Sequence, residues 1–105
     1  MIRLVFSEPA ESDLDDIAAF IAADNPAVAI RVLSAIHAAA RRLAEFPGIG
    51  RPGRLPGTRE FPVTSLPYLI VYEVLGQTLT VFAVLHGARD APHALAARRD
   101  DLNRP

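Results

Sequence analysis

Five side chains carry most of the chemistry that this 105-residue sequence offers: Arg51, Arg54, Arg59, His86 and Arg89. His86 closes an apolar run, and an imidazole that ordinarily titrates near neutrality suits a general acid. A hydrogen bond that holds the strand end is its structural alternative. Arg89 follows three residues later, beside Asp90. Its planar, multidentate guanidinium suits anchoring a target, whereas pairing with Asp90 or nearby backbone is the plainer role. Arg51 and Arg54 ride on a segment rich in Gly and Pro. Arg59 precedes Glu60, and a surface ion pair with Glu60 or Glu73 accounts for it without any function. Tyr72 shares one strand side with Tyr68, Ile70 and Val74, so it reads as a core aromatic with a solvated hydroxyl.

Other chemistries find no support. There is no cysteine, hence no thiolate nucleophile, disulfide or zinc–thiolate set. His37, His86 and His93 show no ligand spacing, and the acids of the first helix are scattered around it, as a solvated face would have them. No metal and no cofactor is expected. Gly48, Gly50, Gly53 and Gly57 follow a helix without the Lys of a phosphate loop, so they read as turn formers. The net charge is -1, but residues 1–25 hold one Arg and six acids while residues 26–105 hold ten Arg and six acids. A pI of about 6.3 argues against holding nucleic acid by overall charge. With half the residues apolar and no run long enough to cross a bilayer, the reading is a soluble chain without a membrane role. Nothing in Met1–Phe6 marks it for export, and a cytoplasmic location is expected.

The elements that must position these residues follow from periodicity. Residues 2–6 read as a strand. Ser7 caps a helix whose first turn holds Glu8, Pro9 and Glu11 and whose apolar face is Ala10, Leu14, Ile17, Ala18 and Ile21, stopping near Asp24. Asn25-Pro26 starts a second helix with the stripe Ala29, Leu33, Ile36, Ala40 and Leu43, leaving Arg31, Ser34, Arg41, Arg42 and Glu45 outside. So short a link predicts an antiparallel helical hairpin. Residues 47–57 read as a structured loop. Thr58–Thr64 reads as a strand pushed to an edge or bulge by Pro62, and Tyr68–Leu75 and Thr78–His86 form a hairpin turned at Gly76-Gln77. The sum is one α+β domain over residues 1–105, ordered β-α-α-β-β-β, with a three-stranded antiparallel sheet after the hairpin and residues 91–105 as a short helix or a mobile tail.

Five segments in this order resemble the ParE branch of the ParE/RelE toxin superfamily: Ala10-Glu11-Ser12-Asp13-Leu14-Asp15-Asp16-Ile17, Leu43-Ala44-Glu45-Phe46-Pro47-Gly48-Ile49-Gly50-Arg51, Gly57-Thr58-Arg59-Glu60-Phe61, Tyr68-Leu69-Ile70-Val71-Tyr72 and Val84-Leu85-His86-Gly87-Ala88-Arg89-Asp90. The resemblance implies a toxin neutralised by a cognate antitoxin, whose flexible segment lies along apolar grooves in a toxin–antitoxin hetero-oligomer. ParE-like members are associated with poisoning DNA gyrase. RelE-like members cut messenger RNA on the ribosome, and in that branch an Arg near Arg59 stabilises phosphate charge. Arg59, His86 and Arg89 are the catalytic set this alternative requires. The nuclease pattern adds several Lys or Arg residues and a terminal aromatic, yet this chain has no Lys and places Pro92 and His93 where a Tyr would be sought. A gyrase poison that is not an enzyme is therefore the leading expectation, its target surface centred on Arg51, Arg54, Arg59, His86 and Arg89. The nuclease and a non-toxic antitoxin-binding protein stand as alternatives, since one scaffold carries different functions.

Overall fold

The computed structural model describes residues 2–87. β1 (Arg3–Phe6) leads through Ser7 into α1 (Glu8–Ala22), where the Ser7 hydroxyl accepts a hydrogen bond from the Ala10 amide at 3.2 Å. α2 (Pro26–Glu45) begins the same way, with the Asn25 side chain accepting from the Val28 amide. These caps satisfy amides that no helical turn can reach, and the prolines sit where a missing N–H does no harm. Then come β2 (Arg51–Pro52), β3 (Arg59–Pro62), β4 (Tyr68–Leu75) and β5 (Thr78–His86).

The sheet has five strands in the order β1-β5-β4-β3-β2, all pairs antiparallel except β1 with β5. The expected three-stranded antiparallel sheet is thus its centre, widened by β1 on one side and by the two-residue β2 on the other. β2 lies inside the segment read as loop, because Arg51 and Pro52 find partners in Glu60 and Arg59. β3 is shorter than Thr58–Thr64. Pro62 pairs with Leu69 of β4 beyond the reach of β2, so its missing N–H falls on an open edge, as expected. Gly76 turns the β4–β5 hairpin with a left-handed φ of 58°.

The helices cover one face of the sheet. Ala10 and Leu14 from α1, and Val32, Ile36, Ala40 and Leu43 from α2, meet Ile70, Tyr72, Leu79, Val81 and Val84 in the main core. Val32 is buried where the stripe named Leu33, which packs half-buried at the margin. A second cluster of Leu69, Val71, Ala83 and Leu85 is sealed on the opposite face by Leu55. Strict alternation would put Leu79, Val81, Ala83 and Leu85 on one side. β5 carries an extra residue at Phe82, since Val71 faces Ala83 and Tyr72 faces Val81, and this bulge sends the two halves of the strand to opposite cores.

The bulge also recruits an acid. β1 ends opposite Val81, leaving the next stretch of β5 without a strand beside it. There the Ser7 hydroxyl donates to the Phe82 carbonyl at 3.3 Å and the Asp13 carboxylate accepts from the Val84 amide at 2.9 Å. Asp13 therefore does not belong to a solvated helix face. It takes the place of strand backbone, because a buried amide must find an acceptor. Among the described residues no helix is long and apolar enough to cross a membrane.

Candidate functional site

The segment from Pro47 to Thr58 is held from both sides of the sheet. On the helix side, the Tyr72 hydroxyl accepts from the Gly50 amide at 3.0 Å and donates to the Pro47 carbonyl at 2.8 Å. Tyr72 is fully buried, so its hydroxyl is not the solvated tip that alternation suggested. Burial pushes its pKa above the ordinary 10.0, with the Gly50 hydrogen bond and the Arg59 charge pulling the other way. A Cβ on Gly50 would stand 2.8 Å from Cε1 of Tyr72, too close for any side chain. Arg59 adds a second tie, donating from Nη1 to the Gly50 carbonyl at 2.8 Å.

On the other side, Glu60 is only 1% exposed. Its carboxylate accepts from the Arg54 amide at 2.8 Å and from the Arg51 guanidinium at 3.4 Å, with Arg54 Nε 3.8 Å away. Such a buried carboxylate is tolerated only because amide and cation contacts replace its water. The arginine side chains remain 58% and 46% exposed, so each keeps guanidinium surface open to solvent. Two cations against one anion leave the locality positive. Glu60 is the residue that sequence reasoning missed; its alternation with Arg59 was visible, but not that Leu55 would seal the face on which it lies.

Arg51, Arg54 and His86 come together in a cleft of about 260 Å³ at the end of the sheet, which Leu66, Pro67 and Leu69 also line. His86 stands opposite Tyr68 across the β4–β5 ladder, the rings edge to face with centroids 6.3 Å apart. Beyond this pair lies a second cavity of about 310 Å³ that includes Asp13, Asp16, Ile17 and Phe20. The Tyr68–His86 pair thus separates a basic cleft from an acidic one.

Arg59 is not part of this assembly. It pairs with Tyr72, four residues along β4 from Tyr68, which at strand rise is about 13 Å. Its guanidinium turns to the loop carbonyl, and Glu60 pairs with Arg51 and Arg54 instead of with it. Arg89, Asp90, Pro92 and His93 lie outside the described residues, as does the whole 91–105 segment. His37 packs against Phe6, ring centroids 5.4 Å apart. Among the described residues no three His, Asp or Glu side chains gather as a metal site.

Residues 4–91 match the family described as the ParE toxin of type II toxin–antitoxin system, parDE. Y4kP of Sinorhizobium fredii (strain NBRC 101917 / NGR234), named as a candidate toxin, is 39% identical over 82 residues, covering 78% of this chain and 84% of that protein. Among solved structures, the chromosomal ParDE system of P. aeruginosa superposes with a TM-score of 0.73 at 24% identity, covering 82% of this chain and 96% of that one. A chain of the intact E. coli RelBE toxin–antitoxin complex gives 0.61 at 18% identity, covering 85% and 100%. The isolated E. coli RelE toxin gives 0.60 at 18% identity, covering 95% and 99%. The three solved structures agree with the helical hairpin and sheet described above, and the extent of the family match means that this chain belongs to the ParE toxin family of type II toxin–antitoxin systems.

Proposed function

We propose that this toxin acts on DNA gyrase by binding, without catalysis, and that a cognate antitoxin holds it inactive in a hetero-oligomer. The separation of Arg59 from His86 supports the noncatalytic reading against the one nuclease set that the resemblance implies, Arg59 with His86 and Arg89. An RNA-cleaving site needs its phosphate-stabilising cation and its proton donor around one phosphodiester, within hydrogen-bond reach. Here about 13 Å of strand lies between them and the Arg59 guanidinium is committed to the Gly50 carbonyl. The target surface is the basic cleft of Arg51, Arg54 and His86, and Arg89, three residues after His86 in sequence, is proposed to act in the same target contact.

For the antitoxin, support comes from the P. aeruginosa ParDE and E. coli RelBE neighbours, both described as toxin–antitoxin systems. The chain itself offers an apolar groove of about 660 Å³ between α2 and β3, lined by Ala35, Ala39, Ile49, Phe61 and Val63. Ile49 and Phe46 beside it are about half exposed, which favours covering by a partner. The test is supercoiling of relaxed plasmid by purified gyrase, titrated with this protein and then with antitoxin. Inhibition with trapped cleaved DNA, reversed by antitoxin, supports the reading. Gyrase untouched by folded protein ends it, and ribosome-bound messenger RNA becomes the substrate to examine.

A further inference from the structure

We infer that the basic cleft recognises an acidic peptide segment: one carboxylate side chain set beside an apolar residue, presented by a protein partner rather than by nucleic acid. This rests on the cleft being the target surface and names what that surface reads.

Three observations carry it. Among the described residues the cleft is a point of positive charge, not a track. Its cations are Arg51 and Arg54, already half neutralised by Glu60, so what remains is the open edge of each guanidinium, suited to a planar carboxylate. Its lining is otherwise largely apolar, with Pro62, Leu66, Pro67 and Leu69 beside the arginines, so an occupant gains by bringing an aliphatic side chain with its charge. Finally, the surroundings repel a polyanion. Across the Tyr68–His86 pair stands the exposed Asp16, and a nucleic-acid backbone that crossed the sheet end would run from the arginines toward this acid. A backbone is held by several phosphate contacts together, and the two partly compensated arginines that the cleft holds among the described residues do not supply them. Glu60 also fixes Arg54 through its backbone amide, so the cation's base is positioned before any ligand arrives.

The probe is a blocked pentapeptide, acetyl-Ala-Leu-Glu-Leu-Ala-amide, titrated into the full isotope-labelled chain and followed by amide and Arg Nε–Hε resonances. Its Gln counterpart and a short single-stranded oligonucleotide are run in parallel. The inference expects saturable shifts at Arg51, Arg54, Leu69 and His86 with the Glu peptide, and at least a tenfold weaker response with the Gln peptide. Arg51→Lys with Arg54→Lys keeps the charge and the Glu60 pairing but loses the planar fork, and should weaken the Glu peptide severalfold. Equal response to both peptides, no response at these residues, or the oligonucleotide shifting them more strongly than the Glu peptide would each overturn the inference. The readout is independent of gyrase: a failed supercoiling assay with an intact peptide response removes the target but not the ligand class.

Discussion

The hydroxyl of Tyr72 and the amide of Gly50 lie 3.0 Å apart, joining the centre of the sheet to the loop that carries Arg51 and Arg54. Because Gly50 is buried, losing that acceptor strands an amide away from water. Tyr72→Phe should therefore cost about 1–3 kcal/mol in a urea titration near neutral pH. Burial also raises the Tyr72 pKa, so the neutral phenol is the form the fold favours. Its contribution is complete below the unfolded value near 10 and fades as pH rises through the folded one. Wild type should lose stability along that alkaline limb more steeply than the Phe variant; parallel limbs would remove Tyr72 as the titrating group.

Asp13 supplies the acceptor that β1 is too short to provide for Val84. Asp13→Ala should destabilise by about 2 kcal/mol, while Asp13→Asn, which keeps a side-chain oxygen, should retain most of the stability. Hydrogen exchange at the Val84 amide offers the local check. An amide as protected in the Ala variant as in wild type would mean that another group takes over.

Glu73 sits half-buried on β4, and burial raises its pKa above the ordinary 4.5. A carboxylate with a raised folded pKa adds stability in acid and loses it as pH climbs through that value, so the ionised form at neutrality is a burden. Glu73→Gln should raise the melting temperature near pH 7 and give no advantage below about pH 4. The opposite pH trend would place a cation beside Glu73 instead.

Arg89 follows His86 by three residues in the sequence. Arg89→Ala should relieve growth arrest on expression while leaving the circular dichroism and melting transition of the protein unchanged. Undiminished arrest by the variant would take Arg89 out of the target surface.

The helices were legible because their information is local. Ser7 and Asn25 cap them, Pro9 and Pro26 open them, and a 3.6-residue apolar period needs no knowledge of what it packs against. The hairpin at Gly76 was legible for the same reason: one left-handed residue between two apolar runs. Arg51, Arg54 and His86 could be named as chemistry-bearing residues, but not assembled. Sequence placed Arg59 among them, and the ladder register that separates it from His86 comes from strands distant in the chain.

What only tertiary structure decided are the features whose cause lies across the sheet. The Phe82 bulge reverses the alternation of β5, so no period-two reading assigns Ala83 and Leu85 to the Leu55 side. Asp13 looked like one more solvated acid until the end of β1 left an amide for it to accept from. Glu60 looked like an ordinary surface charge, yet the loop folds over it and turns it into the anchor of both cleft arginines. In each case a polar atom or a side-chain face was set by a partner dozens of residues away or by a loop closing over it, and burial of hydrogen-bonding groups, rather than local propensity, chose the outcome.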